Sequence, residues 1–410
     1  MALFGNAVVG QSGGPTAAIN ATLAGVIEGV FDAMKDGQIG KLYGMRNGIE
    51  GLLAENFIDL GEAFVDPNRI EILKNTPASA LGSCRKKLPP PEKDAAVYEQ
   101  ILAIFKKYNI RYFFYIGGND SMDTVDKLHA YFKENAYEAR IIGVPKTIDN
   151  DLVATDHTPG FGSAAKYIAV SIHEILRDCA VYTMRAVTIV EIMGRDAGWL
   201  TASAALPVCQ NGIGPDLIYL PEKPFDVQTF FSDLRAAFEK HPNIVVAVSE
   251  GIRTAEGRYV AEGADNKTDA FGHVQLSGVG KVLEYAVKAE FGCKVRSIEL
   301  NLPQRCAAHI ASLTDITESV AVARHAVQAA LNGESGKMAT ICRTAGTEYA
   351  ATYATTPISE VSNQVKQVPA AYINEAGNGV TAECLDYLLP LIKGETTPLC
   401  KDGLPVHCIL

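Results

Sequence analysis

The chain has 410 residues, 48% hydrophobic and 20% charged, which is enough apolar side chain for two cores and too much for a disordered chain. A formal net charge of -10 and a pI near 5.4 exclude a general binder of nucleic acid or anionic membranes, so any anion site has to be built locally. Nine cysteines without a CxxC pair suit reduced thiols rather than a disulfide framework or zinc site, and no basic leader or apolar run of about eighteen residues occurs; a cytoplasmic protein is expected.

Strand-like apolar runs alternate with helix-like stretches, the pattern of parallel sheets covered by helices. The first run, residues 7–10, leads through Gly10-Gln11-Ser12-Gly13-Gly14-Pro15-Thr16 into a helix-like stretch over 17–34. Glycines let backbone amides approach an anion, and a helix start offers free N–H groups, so Gly14 is a candidate phosphate contact. A plain strand-to-helix turn reads the same way, and neither GxGxxG nor a P-loop is present. Residues 77–94 read as loop, with Arg85-Lys86-Lys87 ahead of three prolines. Neighbouring cations of this kind are usually solvated.

After a helix-like stretch over 96–108, the run 111–116 ends in Gly117-Gly118-Asn119-Asp120-Ser121. A carboxylate and an amide stand there where an oxygen-seeking cation such as Mg²⁺ can be held, although helix capping uses the same residues. The run 140–144 ends in Pro145-Lys146-Thr147-Ile148-Asp149-Asn150-Asp151. Asx-rich turns are commonly structural. A lysine beside two carboxylates at a strand end nevertheless supplies what phosphoryl transfer to a hydroxyl needs: a proton acceptor and a cation for the moving phosphoryl group.

Further runs cover 186–192, 217–220, 244–248 and 295–300, and helix-like stretches cover 162–176 and 228–240. Met193-Gly194-Arg195 follows the first of these runs, and Glu250 follows the third. A helical return is expected over 381–393, and the role of residues 339–410 is otherwise unassigned.

Gly13-Gly14, Leu81-Gly82-Ser83-Cys84-Arg85, Gly117 to Ser121, Pro145 to Asp151, Met193-Gly194-Arg195-Asp196-Ala197-Gly198, Ser249-Glu250-Gly251 and Gln304-Arg305 occur in one order over about three quarters of the chain. In that set the sequence resembles the phosphofructokinase family, and within it the pyrophosphate-dependent members. The resemblance implies two Rossmann-like α/β domains with mainly parallel sheets and an active-site cleft between them. The pyrophosphate- and Mg²⁺-binding domain is expected over 1–160 plus about 304–354, and the fructose 6-phosphate-binding domain over about 161–303 plus 355–410.

The implied reaction is reversible phosphoryl transfer from pyrophosphate to the 1-hydroxyl of fructose 6-phosphate, a glycolytic step. Asp149 is the implied general base, ionised near the ordinary carboxylate pKa of about 4, with Asp151 as acidic neighbour and Thr147 touching substrate. Lys146 steadies the transferred phosphoryl, Asn119 and Asp120 hold Mg²⁺, and Arg85 contacts the donor, with Lys86 or Lys87 either joining it there or staying in solvent. Met193, Gly194, Arg195 and Glu250 cover the sugar phosphate and hydroxyls. Arg296 and Arg305 keep the spacing of two arginines that bind the 6-phosphate, one reaching in from a neighbouring subunit, so a homo-oligomer, dimer or tetramer, is implied. Three departures stand out: Asn119 replaces the usual Asp, Leu302 replaces a substrate-binding His of bacterial ATP enzymes, and Arg185 is one residue out of step with a further cross-subunit arginine.

ATP-using bacterial members carry glycines at the positions of Asp120 and Lys146. A carboxylate at Asp120 repels the α-phosphate of ATP; two like charges about 4 Å apart cost about 1 kcal/mol in water and several times more in a shielded cleft. Three other readings remain: an ATP-dependent 6-phosphofructokinase, a noncatalytic sugar-phosphate sensor on the same scaffold, and an NAD-dependent dehydrogenase, against which the missing GxGxxG counts.

Overall fold

The computed structural model describes residues 3–261, 278–346 and 348–410. Its eleven principal strands are β1 (Gly5–Gln11), β2 (Ile39–Met45), β3 (Phe57–Asp59), β4 (Ile110–Gly117), β5 (Arg140–Pro145), β6 (Ala186–Ile192), β7 (Leu217–Tyr219), β8 (Asn243–Ser249), β9 (Lys294–Glu299), β10 (Lys337–Arg343) and β11 (Ala351–Pro357). They form a seven-stranded sheet in the order β11-β10-β5-β4-β1-β2-β3 and a four-stranded sheet in the order β7-β8-β6-β9. Only the outer pairs β2/β3 and β10/β11 run antiparallel.

Strands buried on both faces need apolar side chains at every position, which explains the unbroken runs in the sequence. In β4, Tyr112, Phe114 and Ile116 pack on one side with the helices Ile19–Lys35 and Leu313–Leu331. Phe113 and Tyr115 pack on the other with Ala95–Lys107 and Asn119–Glu134. The period-two alternation of a strand thus feeds two helical layers from one run. Ile19–Lys35 lies tight against Leu313–Leu331 at Gly25, where a Cβ would come within 2.3 Å of the Val320 carbonyl oxygen.

The smaller sheet repeats this plan. Val187 and Ile189 of β6 face the helices Val227–Phe238 and Val279–Phe291, and Val190 and Ile192 face Phe161–Cys179. All seven strand-like runs of the sequence are strands. The chain folds as two α/β domains with mostly parallel sheets, and the return near the C-terminus is the helix Ala382–Leu388 followed by a 3₁₀ turn, Leu389–Ile392. Among the described residues, no helix is long and apolar enough to cross a membrane.

Candidate active site

In the larger sheet the chain proceeds from β1 outward to β2 and β3, then returns to the far side of β1 as β4. Loops leaving the C-terminal ends of two strands at such a reversal diverge and open a crevice. The loops after β1 and β4 are those of Gly13-Gly14 and Gly118-Asn119-Asp120. They join the loops after β5, β6 and β8 around a cleft of about 500 Å³ between the two sheets' loop ends.

On the donor side, Gly13 adopts φ 75°, a conformation open to glycine at little cost, while its N–H donates to the Cys84 carbonyl and its carbonyl accepts from the Ser83 hydroxyl. Gly14 lies between two cations: its carbonyl accepts from Lys146 Nζ at 2.6 Å, and a Cβ there would stand 3.3 Å from an Arg305 guanidinium nitrogen. Asp120 stands in the first turn of the helix Asn119–Glu134 and is ion-paired with Lys87, Nζ to Oδ1 3.2 Å. Lys87 is therefore not the bulk-solvent cation expected from composition; it lines the cleft and partly neutralises the carboxylate.

Asn119 lines the same space, but its amide is engaged elsewhere. Oδ1 accepts the Asn363 N–H at 2.6 Å and Nδ2 donates to the Gln364 carbonyl at 2.5 Å. The amide thereby joins two chain segments through one acceptor and one donor. An Asn119→Asp substitution turns the donor into an acceptor facing a carbonyl and is expected to cost about 1 kcal/mol or more. The readout is the urea unfolding midpoint, and an unchanged or raised midpoint would refute the account.

Beyond β5, Lys146 is only 2% exposed, and burial draws its ammonium down to about 8 against the opposing pull of Asp149 and Asp151. The Asp149 N–H donates to Thr147 Oγ1 at 3.1 Å, and Thr147 is anchored by N–H donation to Pro159 and by acceptance from the Thr158 hydroxyl. Burial raises Asp149, opposed by Arg195 and Lys146, so the ordinary value expected from sequence is corrected upward. Asp151 is pushed up to about 7 by burial and by the charge of Asp149, and its buried Oδ1 has no hydrogen-bond partner among the described residues. Two acids this close titrate as a pair.

On the facing side, Met193, Arg195, Glu250 and Arg305 line the cleft. Glu250 accepts from the Gly194 N–H at 3.3 Å, and burial pushes its carboxyl up to about 7. Gly194 has φ 135°, and its carbonyl accepts from the Ser249 hydroxyl; it shapes the loop without lining the cleft. Arg195 is held by Asp196, Nε to Oδ2 3.0 Å, and Asp196 in turn by Arg253. Arg305 carries a buried Nε without a partner among the described residues, as suits a group that awaits an anion.

Arg85, Thr147 and Asp151 also line the cleft, whereas Arg296 does not. It lies exposed on β9, the edge strand, beside Tyr182 and Lys294. Arg185 stacks on Phe238, 5.1 Å from the ring centroid, and Leu302 is exposed. Gln304, present in the sequence motif without an assigned role, receives the Met193 N–H on its buried side chain's Oε1. Sequence reasoning missed the segment 363–366, which brings Asn363 and Val365 to the cleft and carries no local signal.

The family described as Phosphofructokinase matches residues 6–299, and the chain belongs to that family. It is 44% identical over 410 residues to the pyrophosphate--fructose 6-phosphate 1-phosphotransferase of Xanthomonas campestris pv. campestris, spanning 99% of this chain and 96% of that protein. It is 42% identical over 402 residues to the enzyme of the same name from Halomonas elongata, spanning 98% and 94%. The crystal structure of a pyrophosphate-dependent phosphofructokinase from Nitrosospira multiformis superposes with a TM-score of 0.88 at 39% identity, covering 98% of this chain and 95% of that one.

Proposed function

We propose that the protein transfers a phosphoryl group reversibly between pyrophosphate and the 1-hydroxyl of fructose 6-phosphate, giving fructose 1,6-bisphosphate and phosphate. The observation that carries this reading is the buried Lys146 ammonium, held on the Gly14 carbonyl between the donor loops and the Asp149–Asp151 pair. Asp149 accepts the proton of the attacking hydroxyl, the new O–P bond forms as the bridging P–O bond breaks, and phosphate leaves. Lys146 and Arg85 steady the phosphoryl oxygens; little covalent chemistry is asked of the protein. Arg305 takes the 6-phosphate, and Arg195 and Glu250 take the sugar side. A Glu250 carboxyl near 7 both donates and accepts at neutral pH, as a sugar hydroxyl requires.

Magnesium fits as an ion that arrives with the donor. No group of three His, Cys, Asp or Glu side chains among the described residues converges to hold a metal. One carboxylate plus phosphate oxygens and water is a common magnesium set, and Asp120 supplies the carboxylate, with Asn119 placing the loop. When bound, the ion neutralises phosphate charge.

Exposed Arg296 on the edge strand suits a role in a neighbouring subunit's site, hence a dimer or tetramer; sedimentation of the purified chain tests this. We further take the two sheets to be the pyrophosphate and sugar-phosphate domains expected from sequence.

Turnover with pyrophosphate and with ATP, assayed in turn, tests the donor. Pyrophosphate is expected to be preferred, and faster turnover with ATP would overturn the assignment. Asp120→Gly removes the carboxylate that meets an ATP α-phosphate and frees Lys87 to meet it instead, so ATP use should rise about tenfold or more. No rise would locate the block elsewhere.

A further inference from the structure

Residues 363–368 join three loops of the cleft that are far apart in sequence. Asn363 and Gln364 bond Asn119 of the donor loop, the Lys366 N–H donates to the Asp151 carbonyl at 2.8 Å, and the Lys366 carbonyl accepts from Trp199 Nε1 at 2.9 Å. An ammonium has three donors. Those of Lys366 meet Asn150 Oδ1 at 3.2 Å, the Thr155 carbonyl at 3.1 Å and the Asp156 carbonyl at 2.7 Å, with the Trp199 ring centroid 5.3 Å away. Asn150 stands between the two cleft acids at φ 54°, a left-handed conformation that asparagine tolerates and that side-chain contacts then enforce. The enforcing contacts are Lys366 on its oxygen and the Tyr387 hydroxyl on its nitrogen at 2.9 Å.

We propose that Lys366 is the positioning residue of the Asp149-Asn150-Asp151 turn: its ammonium grips Asn150 away from the cleft and keeps the acid pair able to accept a proton. The inference rests on the reading of this cleft as a phosphotransferase site. Lys366 faces Asp151 and Asp156 as acids and Arg343 as a cation. The acid pair also faces Lys146, Arg195 and Asp196, and Glu250 feels the charge of Asp149. Lys366 supplies part of the positive field that favours ionised Asp151. An uncharged side chain at 366 therefore leaves the pair holding its proton to higher pH.

The test compares Lys366→Met, Lys366→Gln and Lys366→Arg with the unsubstituted enzyme, using whichever donor that enzyme turns over faster. Both neutral variants are expected to lose kcat on the order of 10²-fold, the loss typical of a misplaced reacting group. KM for both substrates should change little, and the acid limb of the pH profile should move to higher pH. Lys366→Arg should keep that limb in place whatever its kcat. If Lys366→Met fails to fold, Lys366→Gln, which keeps a neutral hydrogen-bond donor on the side chain, carries the comparison. A neutral variant with an unmoved limb, or neutral and Arg variants shifting it alike, would overturn the proposal. Inactivity of the unsubstituted enzyme with pyrophosphate would instead count against the donor assignment, and the variants would still be compared with ATP.

Discussion

Asp149→Asn should lower kcat with pyrophosphate by about 10²–10⁴-fold, the range for loss of a general base, while fructose 6-phosphate still binds. The carboxamide has the shape of the carboxylate, and the turn is held by the Asp149 backbone N–H on Thr147, which the substitution leaves intact. Because burial disfavours the charged form of Asp149, a neutral isostere should not lower stability. The same burial fixes the sign of the pH dependence. Both acids are raised, Asp151 to about 7, so the unsubstituted enzyme loses kcat/KM as pH falls through the pair's apparent values, above the ordinary carboxylate range. Retention of more than about a tenth of kcat by D149N would remove Asp149 from the role of proton acceptor.

Much of this arrangement is legible in the sequence because buried parallel strands leave an unmistakable trace and because loops at their C-terminal ends carry the polar groups. Gly14, Asp120, Lys146, Asp149 and Arg195 each follow such a run within a few residues, and the structure brings all five to one cleft. Strand β2 escaped notice because Gly40 and Gly44 interrupt its apolar run. Both glycines answer to tertiary neighbours: a Cβ on Gly40 would meet Asn6 Oδ1 at 2.7 Å, and one on Gly44 would meet Leu81 at the same distance. Such neighbours lie outside any local window. The segment around Lys366 is irregular, with no hydrophobic period to read, and its ammonium matters only through partners more than two hundred residues away. Titration was likewise illegible. The sequence supplies an aspartate with an ordinary value; only the packed loops remove water from it and raise that value. Lys87 shows the reverse case, a cation that composition assigns to solvent and that tertiary structure assigns to Asp120.

Lys146→Met should be nearly as damaging as loss of the base, through charge rather than proton transfer. The ammonium is aimed at the moving phosphoryl from a site where water cannot screen it, and removal of such a group typically costs about 3 kcal/mol of barrier, roughly 10²-fold or more in kcat. The methionine chain fills the buried stem but leaves the Gly14 carbonyl without its partner, so some stability is lost as well. Two limbs of the pH profile should respond. Burial has brought the free ammonium down to about 8, so it is charged below that pH and neutral above it. In the unsubstituted enzyme kcat/KM for pyrophosphate accordingly falls as pH rises through about 8, while kcat holds to higher pH because the bound donor's negative charge favours the ammonium. K146M should lack that basic limb once Lys366, whose buried ammonium also stands at about 8, is replaced by an arginine that stays charged there. The acid limb of K146M should move upward, since Lys146 is one of the charges that hold Asp149 ionised. A basic limb that survives both substitutions unchanged would mean that another group titrates there and that Lys146 does not carry the charge on which transfer depends.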